Sequence, residues 1–459
     1  MRRASGRLSF GFFVSSVALA CTPAAVAPEP SPDGGFDAAP AHPAPSNAPD
    51  ASADAADAGR PAIVPASRLE VQCAQPPCYV AVSGTGGEHV CGLLADGTVR
   101  CWGRDTRARA EPSPDGGTPE ADGALGRGRP VSALEGATPA PVVGLQDVTQ
   151  ISVGSNLGTC ALTSDGSVYC WGRNEFGQLG RPPSEPSLPI PTRVEGLPPI
   201  SKVALGATTG CAIAKADGAL YCWGTQNTRV GLGLGPSTTF PPQEMTAFAP
   251  PVREIAIGST PPLPINTRLT FPFQDTILAL RDDGVLASLG ELPAGGSSNG
   301  ELHLPVPIEQ PGVLRSGAFA YLGVDGVLTR WVPERRALYV PGASSVVDVA
   351  IAPGRSYRAG VIVFVEQAGV LLADGHLYRW GRNTAGALGY SPDELDLAAE
   401  PLDMTHVAGG RVVSFAMTTA STCVSLVDGT VKCWGSNQRG ELGRGTIDYE
   451  HHPEAEVIR

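Results

Sequence analysis

Charged and aromatic side chains are scarce in this chain of 459 residues, at 17% and 6% of the total. The low charge excludes helical bundles and coiled coils, because those folds are rich in Glu, Lys and Leu. Basic residues are also outnumbered, since 33 Lys and Arg against 45 Asp and Glu give a net charge of −12. Nucleic-acid binding depends on cationic contacts to phosphate. We therefore predict no nucleic-acid partner.

Signatures of catalysis and metal binding are missing as well. The seven histidines share no repeated position, and the chain has no Gly-x-Ser-x-Gly elbow, His-Glu-x-x-His helix or phosphate-binding loop. His451 and His452 are adjacent, so on a strand they point to opposite faces and do not bind one ion together. We predict no enzymatic activity, no cofactor and no metal site.

Glycine and proline, by contrast, are abundant, with 57 and 44 residues, and 42% of the chain is hydrophobic. This composition favours many short strands joined by tight turns around a sizeable core.

The N-terminus has the features of an export signal. Residues 1–7 are basic, and residues 8–19 form an apolar run that is too short to remain as a membrane-spanning helix. Ala18 and Ala20 fit ordinary secretory cleavage, whereas Ala20-Cys21 is similar to the lipoprotein box in which the cysteine is acylated. The other ten cysteines fall into close pairs, so we favour lipidation of Cys21.

Three regions follow from these observations. Residues 1–20 are a predicted signal peptide. Residues 21–66 comprise the lipidated cysteine and a predicted disordered linker, because alanine (15) and proline (10) dominate residues 22–66. Residues 67–459 are a folded head. The predicted location is the bacterial cell envelope, with a membrane contact through the lipid anchor only.

One unit recurs seven times in the head. Each copy contains an Asp-Gly pair between apolar segments, which is a strong signal for a β-hairpin. The mean spacing of about 55 residues indicates a propeller or a solenoid. With four strand-like runs in each unit, we predict an all-β, seven-bladed β-propeller. The seven pairs begin at Asp96, Asp165, Asp217, Asp283, Asp325, Asp374 and Asp428.

Tryptophan occupies one fixed place in the unit, six residues after the aspartate. Six copies have it, and Leu289 stands there in the fourth. A large ring at one place in each unit predicts packing between blades. The alternative is a ring of aromatic residues that stack against a ligand. The six residues are Trp102, Trp171, Trp223, Trp331, Trp380 and Trp434.

Cysteines flank the hairpins in pairs. In the fourth, fifth and sixth units both cysteines are lost together, as expected for disulfides across a hairpin and not for independent thiols. The third pair is one residue further apart, which suggests a bulge. The predicted disulfides are Cys73–Cys78, Cys91–Cys101, Cys160–Cys170, Cys211–Cys222 and Cys423–Cys433.

Two segments compete to close the ring. Residues 453–458 are similar to the strand that opens other units and are a candidate to pair with the first blade. Residues 69–72 are the competing candidate.

The pattern Cys160-Ala-Leu, Asp165-Gly166, Cys170-Trp171-Gly172 and Gly177-Gln-Leu-Gly180 resembles the regulator of chromosome condensation repeat. The resemblance covers about residues 69–459 and implies a seven-bladed propeller. The eukaryotic founders of the family engage chromatin and promote guanine nucleotide exchange on a small GTPase, and some secreted bacterial members inhibit a β-lactamase. A shared fold does not transfer any of these functions.

Two insertions stand out as candidate binding loops, residues 105–123 and 259–275. Arg107 and Arg109 lie in the first, and Arg268, Phe271 and Phe273 lie in the second. Aromatic residues beside arginine are typical of binding hot spots, although Phe271 and Phe273 also fit a strand that faces the core. We predict a monomeric propeller that binds a macromolecule, favouring a protein. The alternatives are a glycan-binding or structural envelope component and an enzyme with its site in the central channel.

Overall fold

The computed structural model describes most of the predicted head. The head belongs to one compact unit, Ile63–Arg459. The described residues are 68–84, 86–106, 122–185, 187–226, 238–248, 251–260, 264–266, 269–270, 274–283, 285–291, 297–302, 308–315, 318–323, 328–331, 336–338, 346–358 and 361–458. The predicted signal peptide, Cys21 and the predicted linker lie outside them.

Seven antiparallel sheets of four strands follow one another along the described chain. Sheets 1–4 comprise β1 (Tyr79–Ser83), β2 (His89–Leu94), β3 (Val99–Gly103) and β4 (Ala140–Pro141); β5 (Val148–Val153), β6 (Gly158–Thr163), β7 (Val168–Arg173) and β8 (Ser187–Arg193); β9 (Ile200–Leu205), β10 (Thr209–Ala214), β11 (Leu220–Gln226) and β12 (Thr238–Glu244); and β13 (Val252–Thr260), β16 (Gln274–Arg281), β17 (Leu286–Glu291) and β18 (Ser297–Leu302). Sheets 5–7 comprise β19 (Ile308–Arg315), β20 (Ala318–Gly323), β21 (Leu328–Trp331) and β22 (Arg336–Leu338); β23 (Val346–Arg358), β24 (Val361–Leu372), β25 (Leu377–Arg382) and β26 (Leu397–Asp403); and β27 (Val412–Met417), β28 (Ser421–Leu426), β29 (Val431–Ser436) and β30 (His451–Val457).

The predicted all-β propeller fold is confirmed. A small hairpin, β14 (Pro264–Asn266) with β15 (Leu269–Thr270), is inserted in sheet 4. The described helices are short: α1 (Ala133–Gly136), α2 (Thr405–Ala408) and two 3-10 turns, Thr246–Phe248 and Thr384–Gly386. None of the helices in the described ranges is long and apolar enough to cross a membrane.

Turn chemistry builds the hairpin between the second and third strands of each sheet. In sheet 2, the Asp165 carboxylate accepts a hydrogen bond from the backbone N–H of Ser167 at 3.0 Å. Gly166 adopts a φ of +85°, a conformation that L side chains rarely take. The same contact recurs in sheet 7, where Asp428 accepts from the N–H of Thr430 at 2.9 Å. The repeated Asp-Gly pairs are therefore explained by local backbone geometry.

The hydrophobic core lies between neighbouring sheets. Trp171 of sheet 2 packs in one buried cluster with Leu125 and Val142 of sheet 1, and Trp102 of sheet 1 packs with Val431 and Leu442 of sheet 7. A propeller sheet buries both faces against its neighbours, and a second strand such as Gly158–Thr163 is therefore buried along its length.

Ring closure differs from the expectation. The C-terminal strand β30 pairs with β29 inside sheet 7, so the first of the two candidates, residues 453–458 paired with the first sheet, is wrong. Residues 69–72 are not a strand either. Instead β1 and β27 lie side by side, and the Ser414 hydroxyl accepts a hydrogen bond from the N–H of Val82 at 3.1 Å. The first and last sheets are joined without a shared strand, by side-chain contacts and by backbone hydrogen bonds, such as the one from the N–H of Tyr79 to the carbonyl of Gly429 at 2.9 Å.

The local connections of sheets 2 and 3 are also clear, and those of sheet 3 correct the predicted bulge between Cys211 and Cys222. The Gly177–Gly180 turn joins β7 to β8 within sheet 2 and does not lead to the next sheet. The outer strand of sheet 2 is Ser187–Arg193. Cys211 and Cys222 face each other in unbroken register, so the extra residue lies in the hairpin loop and forms no bulge.

Candidate functional site

The two ends of the propeller differ. We call the end that carries the turns between second and third strands the hairpin face. The opposite end carries the connections from first to second strands and from third to fourth strands, and we call it the insertion face. Both long insertions belong to the insertion face, because residues 104–139 join β3 to β4 and residues 261–273 lie between β13 and β16.

The described N-terminal segment lies on the hairpin face. The Arg68 guanidinium forms an ion pair with Asp348 at 2.7 Å. The N–H groups of Gln72 and Ala74 donate to the carbonyls of Val427 and Asp428, at 2.6 and 3.2 Å. The chain therefore reaches β1 from the face opposite to the insertions.

A buried carboxylate anchors the first insertion at its base. Asp105 is 5% exposed. Its two oxygens accept hydrogen bonds from the N–H groups of Leu125 at 3.0 Å and Val131 at 3.2 Å. Burial raises the pKa of Asp105, and the two backbone donors oppose that rise. The segment that returns from the insertion is thus fixed to the residue where the insertion starts.

A second buried carboxylate anchors the other insertion. Asp275 accepts five hydrogen bonds, from the N–H groups of Ala207, Thr208 and Thr209 and from the hydroxyls of Thr208 and Ser259, at 2.6–3.1 Å. Burial raises its pKa, and these donors counteract the shift. Asp275 therefore links the insertion in sheet 4 to the loop that ends β9 in sheet 3.

The five residues predicted to bind a partner, Arg107, Arg109, Arg268, Phe271 and Phe273, lie outside the described residues. The structure instead identifies the anchors at the insertion bases, which the sequence analysis missed. Asp105 and Asp275 were read there only as the limits of the insertions. An aspartate at the edge of an insertion is only a weak signal for such an anchor.

The central channel forms a cavity of about 640 Å³ lined by the first strands of the sheets. Its charged groups are paired, Lys202 with Glu254 and Arg68 with Asp348. The Gln150 side chain bonds both the N–H and the carbonyl of Val203, at 3.0 Å each. The described lining has no two carboxylates left to act as acid and base, and the described residues contain no group of His, Cys, Asp and Glu suited to hold a metal ion.

Four of the predicted tryptophans do pack between sheets. Trp102, Trp171, Trp223 and Trp434 are fully buried. Each indole N–H donates to a backbone carbonyl of the preceding sheet at 2.8–3.0 Å, the acceptors being Glu441, Ala124, Gln178 and Ala387 in that order. These four rings are structural and offer no face to a ligand.

All five predicted cysteine pairs form disulfides, with Cα atoms 4.1 Å apart in each of the four hairpin pairs. In sheet 6, Arg379 takes a cysteine position and is fully buried. Its guanidinium donates to Gln367 at 2.9 Å and to the carbonyl of Ala387 at 2.6 Å. Burial lowers its pKa to about 9. The Arg379 guanidinium also donates to the hydroxyl of Thr422 in sheet 7, so hydrogen bonds within sheet 6 and to sheet 7 replace the cross-hairpin disulfide there.

Sequence comparisons point to one repeat family. A model described as regulator of chromosome condensation (RCC1) repeat matches residues 165–213, and a second model so described matches residues 79–108 and 148–178. Human E3 ubiquitin-protein ligase HERC2 is 29% identical over 295 residues, which are 63% of this chain and 5% of HERC2. The mouse regulator of chromosome condensation is 39% identical over 89 residues, 19% of this chain and 21% of that protein.

Among solved structures, Prp20p from Saccharomyces cerevisiae is similar, with a TM-score of 0.59, 17% identity, and coverage of 80% of this chain and 87% of Prp20p. At that identity the likeness establishes the fold alone. The chain spans only a small part of the curated relatives named above. The chain thus contains segments similar to the regulator of chromosome condensation repeat, and it has a propeller fold similar to that of Prp20p.

Proposed function

We propose that this chain is a non-catalytic propeller that binds a protein partner on its insertion face. The observation that carries the proposal is the polarity of the molecule. Two long insertions, from sheets 1 and 4, start and end on one face and are each anchored by a buried carboxylate, Asp105 and Asp275. The N-terminal segment attaches on the other face. Loops fixed on a rigid scaffold are common binding elements.

The similar protein Prp20p gives further support, because its crystal structure was described together with its binding to Gsp1p and histones. A propeller of this type thus serves as a protein-binding scaffold elsewhere. The partner of this chain is a different question, since fold does not specify function.

We further propose that the seven sheets form one closed seven-bladed ring, held to the cell envelope of a bacterium by an acylated Cys21. The structure pairs the ten other cysteines, which leaves Cys21 as the single cysteine without a partner in the sequence. An intact mass showing an unmodified Cys21 would overturn the anchor.

The test of the binding face is quantitative capture. The oxidised full-length chain is immobilised and exposed to envelope extract and secreted protein of the producing cell, and retained proteins are measured by mass spectrometry. We expect R107A/R109A and F271A to lower retention of a stoichiometric partner at least about tenfold, as for hot-spot residues. The matched control is K215A, an exposed cation on the hairpin face. Retention that falls with K215A alone, or no stoichiometric partner at all, would contradict the proposal.

A further inference from the structure

Most outer strands of the sheets contain proline residues that protect their free edges from pairing with another strand. An edge strand exposes unpaired N–H and C=O groups to which another strand can bind. Proline removes an N–H and a bulge breaks the alignment, so both block such pairing. Five of the seven outer strands contain proline: β4 has Pro141, β8 has Pro189 and Pro191, β12 has Pro241 and Pro242, β26 has Pro401, and β30 has Pro453.

In the four long strands of that group, the proline lies at one structural position. Two or three residues of the outer strand form a bulge opposite the tryptophan of the third strand. In sheet 2, for example, Cys170 pairs with Thr192 and Gly172 pairs with Leu188, so residues 189–191 lie opposite Trp171. The same irregularity lies opposite Trp223, Trp380 and Trp434.

Sheet 4 departs from this pattern. Its outer strand, β18, pairs with β17 in unbroken register from Leu286 with Leu302 to Glu291 with Ser297. Leu289 stands at the tryptophan position and pairs directly with Asn299, which occupies the place of the prolines. The remaining outer strand, β22, is also without proline but has only three residues. In the described part of the chain, β18 is therefore the long outer strand that is neither bulged nor interrupted by proline.

We propose that β18 binds an extended, basic segment of a protein partner by β-strand addition. The proposal rests on the protein-binding function proposed above and adds a second contact at the rim of sheet 4. Sheet 4 ends at β18 within the described residues, so the outward N–H and C=O groups of this strand are available for a further ladder.

Charge favours a partner segment over a second copy of this chain. Glu291 and Glu301 are the charged residues of β17 and β18, and neither strand contains Lys or Arg. A second copy would bring the same two acids and a net charge of −12 to the contact. A segment with Lys or Arg brings the opposite charge to the strand beside Glu301 of β18, and opposite charges on neighbouring strands stabilise the pair.

The test uses a phage-displayed library of linear 12-residue peptides, selected on the oxidised full-length chain. We expect the selected peptides to be rich in Lys and Arg and to slow amide exchange of residues 297–302. N299P restores the proline found in the other outer strands and should weaken binding at least about tenfold, since it blocks backbone hydrogen bonds. The matched control is A399P, at an exposed position of β26 beside Pro401, which should bind as the wild type does.

A second variant distinguishes a loss of binding from a loss of folding. E301K keeps the backbone N–H donors of β18 but reverses a charge, so it should also weaken binding of the basic peptides. Equal Tm values for wild type, N299P and E301K confirm that each variant is folded. Failure to select any peptide, equal binding to N299P, or a dimer in sedimentation that N299P abolishes would each overturn the proposal. Partner capture that depends on the insertion face but is indifferent to N299P would leave the proposed function intact and reject this second contact.

Discussion

At the scale of single residues, Glu441 shows that one position of the repeat can hold either an amide or an ionisable carboxyl. Gln178 in sheet 2 and Glu441 in sheet 7 occupy the same place in the loop that supports a tryptophan, and each gives its backbone carbonyl to an indole N–H. Both side chains accept a backbone N–H at 2.7–2.9 Å. The carboxyl of Glu441 is 5% exposed, and burial raises its pKa to about 7.

This shift predicts that E441Q stabilises the protein at neutral and alkaline pH. A carboxyl whose pKa rises from 4.5 to about 7 on folding favours the folded state below pH 4.5 and loses that contribution as pH rises through 7. Glutamine does not ionise, so the gain in free energy of unfolding should grow between pH 4.5 and 7 to about 3 kcal/mol at most. Thermal unfolding of both proteins from pH 4 to 8 measures it.

Gln178→Glu is the matched control and should produce the opposite change. An E441Q protein that is no more stable than the wild type at pH 8, with the same dependence of Tm on pH, would show that Glu441 is not held in a raised-pKa environment.

Residue-scale features divide into those that local sequence predicts and those it does not. The hairpin aspartates, cysteine pairs and tryptophans recur at fixed spacing, so their contacts follow from the repeat. Arg379, Asp105 and Asp275 occur once each, and their partners come from distant segments. Nothing in a single sequence connects Asp275 with Thr208, because the contact depends on how two sheets lie together.

At the scale of elements, disulfides divide the ring into two arcs. The hairpins in sheets 1, 2, 3 and 7 are each cross-linked by a disulfide. In sheets 4–6 the same positions face each other without cysteine, as Leu278 with Ser288, Ala320 with Arg330 and Gly369 with Arg379. A disulfide of this kind stabilises the folded state by about 2–4 kcal/mol.

We therefore expect lower local stability in residues 255–390. Native-state amide exchange of the oxidised chain should be at least about tenfold faster in β16, β20 and β24 than in β6, β10 and β28, since local opening lacks the restraint of a disulfide. Replacing Cys160 and Cys170 by alanine should move β6 towards the faster group. Equal or greater protection in residues 255–390 would contradict the expectation.

The inner three strands of a unit were more predictable than the outer one. Second and third strands alternate around an Asp-Gly turn, a local pattern that sequence reports well. Outer strands such as β8 (SLPIPTR) contain two prolines and a bulge, which argue against a strand when only sequence is considered. The prolines are tolerated because the strand is at an edge, a fact that only the assembled sheet supplies.

At the scale of the whole molecule, the order of strands gives the propeller its polarity. Closure through β1 and β27 places the N-terminal segment on the hairpin face, held by Arg68 on Asp348. Both anchored insertions are then on the opposite face. The two insertions are visible in the sequence, but the face they share is not, because it depends on which strands of sheets 1 and 4 each insertion connects.

The most direct test of this account is a hydrogen-exchange footprint of the full-length chain with and without its captured protein partner. We predict that bound partner slows exchange in the segments around the two insertions, residues 103–139 and 258–276. The hairpin turns at Asp96, Asp165, Asp374 and Asp428 should exchange as they do in the free protein. Protection confined to those hairpin turns, with the insertion segments unchanged, would contradict the central claim that the insertion face is the binding surface.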